Sequence, residues 1–138
     1  MRRSLLLLPA VAALIAALPH LAGAQGTKPA LYTTDQATAG AAVYGQACAS
    51  CHGAQMEGVA APALKGPNFG EMANAQSLTA DALLDVIANT MPQSDPGSLK
   101  PEEYAAVTAY ILQQNGYPAG STALAKGAAG LKDAKVTP

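Results

Sequence analysis

Residues 48–52 read Cys48-Ala49-Ser50-Cys51-His52 and contain both cysteines of the 138-residue chain. Two thiols three positions apart stand about one helical turn from each other, so both sulfurs reach the same side. There they can bond the two vinyl-derived positions along one edge of a porphyrin, and His52, directly after, can present its imidazole to the metal. This spacing is the pattern of covalent haem attachment. Two other chemistries use a Cys-x-x-Cys pair. A redox disulfide needs a βαβ setting, and a zinc site needs a second pair of ligands. The chain shows no strand alternation, and its one other histidine is His20. One haem c, held through two thioethers at Cys48 and Cys51 with His52 on the iron, is the expected cofactor.

Upstream, the chain opens Met1-Arg2-Arg3, runs apolar from Leu5 to Leu18 with Pro9 as a break, and reaches Ala22-Gly23-Ala24. A basic start, a short apolar run and a small-x-small site read as a signal peptide, residues 1–24, cleaved after Ala24. The run is too short to span a bilayer comfortably, so no stable membrane span is expected after cleavage. Periplasmic localisation follows, and it suits a haem attached outside the cytoplasm. The formal net charge is −1, and loss of Arg2 and Arg3 makes it more acidic, which argues against nucleic acid as a partner. With no Trp and one Phe, such a chain has little bulk to fill a core. A large apolar cofactor supplies the volume.

Downstream and around the motif the periodicity predicts an all-α domain over residues 33–118. Residues 25–32 read as a flexible lead-in. Thr33 and Gln36 are spaced as a capping box before a helix from Asp35 to about Ala49, with Gly40, Val43, Tyr44 and Ala47 on one face. Residues 53–76, rich in Gly, Pro and Asn, read as one long irregular loop. A second helix runs from about Thr79 to Asn89, with Leu83, Val86, Ile87 and Thr90 aligned. Pro92, Pro96 and Gly97 then break the period. A third helix opens at Pro101, carries Glu102 and Glu103 in its first turn, and aligns Tyr104, Val107, Tyr110 and Ile111. Asn115-Gly116 stops it. Residues 119–138 read as a mobile or loosely docked tail rich in Ala, Gly and Lys.

The second axial ligand is sought among the methionines, the usual partners of histidine in electron-transfer cytochromes. His20 is removed with the signal segment. Met56 follows His52 by four residues and belongs on the histidine side. Met72 in the central loop could cross, and an open site is a further possibility. Met91 is favoured, because it follows a helix and precedes Pro92 in an irregular segment.

From about Thr34 to Pro118 the sequence resembles the class I cytochrome c family. Gly40 and Tyr44 before the motif look like the family's N-terminal helix, Ala61-Pro62-Ala63-Leu64 like its proline segment, Met91-Pro92 like its distal-ligand loop, and Glu103-Tyr104 through Leu112 like its C-terminal helix. The resemblance implies a cytochrome c fold of three main helices and long loops wrapped around one covalent haem. It also implies a crossing of the terminal helices near Gly40 and Tyr110, and a hydrogen bond from the His52 ring to the Pro62 carbonyl. The family's propionate-binding tryptophan has no counterpart, leaving Asn74, Gln76 or a backbone amide for that task. The 91–118 pattern is similar to small cytochromes serving periplasmic dehydrogenases. The implied function is one-electron transfer, not catalysis, between redox proteins: a dehydrogenase donor and an oxidase or cytochrome acceptor. Two alternatives are a cytochrome subunit of a larger dehydrogenase, and a haem with an open distal site for ligand binding or peroxidase-like chemistry. The last would want a distal acid-base residue, and no second histidine follows residue 24.

Overall fold

The computed structural model describes residues 28–137. The expected signal segment and His20 lie outside the described residues. Five helices follow in order: α1 (Thr34–Ala47), α2 (Ala49–His52), α3 (Gly66–Ala75), α4 (Ala80–Thr90) and α5 (Pro101–Gln114). Among the described residues the only β pairing is an isolated antiparallel bridge between Thr79 and Lys135. The domain is all-α.

The packing of α1 against α5 frames the fold. Gly40 is buried on α1, and a Cβ there would overlap the carbonyl of Ala106 and come within 3.0 Å of Tyr110 Cβ. The absence of a side chain is what allows the two backbones to meet. One turn on, the Tyr44 and Tyr110 rings meet edge to face, with centroids 5.7 Å apart and planes at 61°, a favourable quadrupole arrangement. Helix α5 is buried on more than the expected stripe: Ala105, Ala106, Thr108 and Ala109 are inside together with Tyr104, Val107, Ile111 and Leu112. Its many alanines let neighbours close in from several sides.

Four sequence expectations require correction. First, residues 66–75 of the anticipated loop form α3, with Pro67 in its first turn and Phe69, Gly70 and Ala73 buried. Second, α4 buries Ala80, Leu83, Leu84 and Ile87, whereas Val86 is 51% exposed. Both sets obey the i, i+3, i+4, i+7 rule; the arc with two leucines removes more apolar surface from water and wins. Third, Thr33 Oγ1 accepts from the Gln36 N–H at 3.3 Å, but the Gln36 amide does not return to Thr33. It pairs with the Leu124 backbone instead, donating to the carbonyl at 2.7 Å and accepting from the N–H at 2.8 Å.

Fourth, the described residues of the lead-in (28–32) and of the tail (119–137) are docked on the domain. Tyr32 is buried, its hydroxyl donates to the Tyr117 carbonyl at 2.5 Å, and its own carbonyl accepts from Gly120 at 2.7 Å. Leu124, Leu131, Ala134 and Val136 of the tail are buried in the common core. The tail also completes α4. A helix start leaves backbone N–H groups without partners; here Ala80 N–H donates to Ala134 at 2.9 Å and Asp81 N–H to Leu131 at 3.2 Å. Thr79 Oγ1 takes the Ala82 N–H at 3.2 Å. The folded unit therefore runs at least from residue 28 to 137, beyond the anticipated 33–118.

Candidate haem site

The motif sits where α1 ends. The Cys48 N–H still donates to Tyr44 at 2.9 Å, and the Cys48 carbonyl accepts from both Cys51 (3.1 Å) and His52 (3.0 Å), which winds the short helix α2. Both cysteines are free thiols, Cys48 half-buried and Cys51 exposed. Burial pushes the Cys48 thiol above its ordinary range. The two sulfurs thus lie one turn apart, one facing inward and one at the surface.

His52 is buried, and its Nδ1 lies 2.8 Å from the Pro62 carbonyl. A carbonyl can only accept, so Nδ1 is the donor, and in the neutral ring the lone pair is then on Nε2. This is the tautomer that ligates a metal, with the carbonyl fixing the ring and raising its basicity.

The Pro62 segment is itself tightly held. The Cys51 carbonyl faces three N–H groups, those of Val59, Ala60 and Ala61, at 3.2, 2.9 and 3.0 Å. Gly58 N–H donates to His52 at 2.8 Å, and Leu64 N–H to Met56 at 3.0 Å. Gly58 has φ +82°, and a Cβ there would stand 2.7 Å from the Ala63 nitrogen. Asn115, at the end of α5, donates its side-chain amide to the Leu64 carbonyl at 2.9 Å and the Ile111 carbonyl at 2.8 Å. In the sequence Asn115 is legible only as a helix stop. On the other flank, Tyr44 Oη donates to the Gly53 carbonyl at 2.7 Å, and burial, more than the neighbouring Cys48, Glu57 and Tyr110, pushes its pKa up to about 12.

The three methionines occupy different settings. Met56 is fully buried in the core with φ +63°. Met72 is partly buried on α3, packed against the core. Met91 caps the C-terminus of α4, its N–H donating to Ile87 at 3.0 Å and its side chain partly buried. Its carbonyl accepts from Tyr104 Oη at 2.9 Å, and the same hydroxyl accepts from the Leu99 N–H at 3.3 Å. Asn74 and Gln76, suggested for the propionates, are both exposed near the end of α3. Among the described residues there is no cluster of three or more His, Cys, Asp or Glu able to hold a metal ion.

Two free thiols one turn apart, beside a buried imidazole whose Nδ1 is engaged by the Pro62 carbonyl, fit covalent haem. The chain is a c-type cytochrome domain. Residues 35–111 match the family described as cytochrome c oxidase, cbb3-type, subunit III. That is more than half of its length, and the chain belongs to this family of haem c domains. No curated protein matches it. Among solved structures it is similar to a chain of the sulfane dehydrogenase SoxCD from Paracoccus pantotrophus, with 26% identity, a TM-score of 0.50, and coverage of 77% of this chain and 59% of that one. It is also similar to a chain of the thiosulfate dehydrogenase TsdBA from Marichromatium purpuratum, at 29% identity and a TM-score of 0.46, covering 80% of this chain and 28% of that one. The chain thus spans under two thirds of either relative. Among the described residues no helix is long and apolar enough to cross a membrane.

Proposed function

We propose that the protein is a periplasmic one-electron carrier whose haem is bound through Cys48 and Cys51 and ligated by His52 and Met91. The observation that carries this reading is the 2.8 Å contact between His52 Nδ1 and the Pro62 carbonyl, which leaves Nε2 free for iron. Haem c supplies a one-electron couple at its iron when bound. The protein's part is to keep that centre's surroundings constant. His52 is locked by Pro62, Pro62 lies in a loop stitched to the Cys51 carbonyl, and Asn115 ties that loop to α5. Met91 stands at a helix end, on the only segment between α4 and α5. A neutral His/Met pair in an apolar surround disfavours the extra ferric charge, so the potential is expected on the positive side. Cys51, exposed at the surface, marks the edge through which electrons pass to and from redox proteins.

The test is the ferric near-infrared spectrum of the purified holoprotein. A methionine-to-iron band in the wild type that disappears in Met91→Ala supports the ligation. Its survival in Met91→Ala points to Met72, and its absence in the wild type removes the His/Met reading altogether.

A second reading is a cytochrome subunit of a larger dehydrogenase, with substrate chemistry elsewhere. The likeness to the SoxCD chain favours it. Stoichiometric co-purification with a dehydrogenase partner would support this reading, and a monodisperse monomer in native extracts would count against it.

A further inference from the structure

Between α4 and α5 the chain passes through Met91 to Leu99, and most of that passage is exposed: residues 93–98 all face solvent. Its internal hydrogen bonds are two, Asp95 N–H to Pro92 at 2.9 Å and Ser98 N–H to Asp95 at 3.3 Å. Among the described residues, the only hydrogen bond tying residues 92–99 to another part of the chain is that from the Leu99 N–H to Tyr104 Oη. The proton of the same hydroxyl goes to the Met91 carbonyl. One oxygen therefore closes both ends of the loop. The ring that carries it is 5% exposed and is set in the first turns of α5, where it cannot follow the loop if the loop moves.

We infer that Tyr104 is the positioning residue for the distal ligand: its hydroxyl fixes the Met91 peptide plane and thereby the direction in which the methionine side chain leaves the backbone. The inference rests on Met91 being that ligand. Loss of the hydroxyl leaves a carbonyl and an N–H unpaired at the two loop ends while the ring still fills its place in the core. The loop then opens more often, and the ligand with it.

The experiment compares wild type, Tyr104→Phe and Tyr32→Phe as full-length holoproteins. Tyr32→Phe removes another buried hydroxyl, bonded to Tyr117 and not to the loop. Carbon monoxide binding to the ferrous form reads ligand release, and hydrogen exchange of the Leu99 amide reads the loop. Tyr104→Phe is expected to accelerate both by roughly tenfold, the size of one or two lost hydrogen bonds, with Tyr32→Phe close to wild type. Equal acceleration in both variants would mean general softening and overturns the inference, as does an unchanged Tyr104→Phe. Failure of the ligation reading has its own signature: Met91→Ala then leaves the near-infrared band and carbon monoxide kinetics untouched. In that case the Leu99 amide of Tyr104→Phe still exchanges faster, and the ligand-positioning role falls.

Discussion

Gly40 of α1 lies so close to Ala106 of α5 that its Cα hydrogen occupies the place where any other residue's Cβ would meet the Ala106 carbonyl. The obstacle is backbone, which cannot rotate away as a side chain would. Gly40→Ala must push the two helices apart and disturb the Tyr44–Tyr110 contact beside them. We expect a loss of about 3 kcal/mol, despite alanine's better helix propensity. Thermal unfolding followed by circular dichroism would show it as a fall of roughly 10 °C or more. A variant as stable as wild type would mean the helices can separate freely.

The tail makes a second prediction. Leu131→Ala removes a buried side chain from the common core beside the carbonyl that receives the Asp81 N–H. A cost of about 2–4 kcal/mol is expected in urea unfolding. Gln36→Ala, which strips both hydrogen bonds from Leu124, should cost about 1–2 kcal/mol. A solvated tail would give values near zero for both.

Asn115→Ala concerns the histidine side. It leaves the Leu64 carbonyl without its side-chain donor and frees the end of the loop that carries Pro62. Stability is expected to fall by about 1–2 kcal/mol, and the Leu64 amide should exchange faster. Asn115→Asp, which has no N–H₂ to donate, should behave no better than alanine.

Tyr44 sets a limit at alkaline pH. Its pKa rises from the ordinary 10.0 to about 12, with burial as the main cause. A group whose folded pKa lies above its unfolded value favours the folded state fully while both forms are protonated. That contribution is present below pH 10 and is lost as the pH climbs towards 12. Unfolding midpoints measured across this window should drop more steeply in wild type than in Tyr44→Phe, which has no phenol to ionise.

The haem motif was legible because its chemistry demands neighbours in sequence: Cys48, Cys51 and His52 must share one turn. The stop at Asn115-Gly116 and the cap at Thr33 were legible for the same local reason. Helix α3 was hidden because Gly66, Pro67, Asn68 and Gly70 dilute the apolar period that Phe69 and Ala73 provide. The docked tail was hidden for a different reason. Leu124, Leu131 and Val136 stand at uneven spacing, and what buries them are elements far back in the chain. Side chains with two possible readings, such as the amides of Gln36 and Asn115 and the hydroxyl of Tyr104, reveal their partners only when the fold brings distant carbonyls to them.

The Lys28 ammonium bonds the carbonyls of Asn115 and Thr137 at 2.8 and 3.0 Å and lies 4.9 Å above the Tyr117 ring. The two ends of the described residues, 28 and 137, are therefore side by side. A unit with such a doorway can be spliced into a surface loop of a host protein without stretching either junction. The haem motif Cys48-Ala49-Ser50-Cys51-His52 would travel with it into the scaffold that receives it.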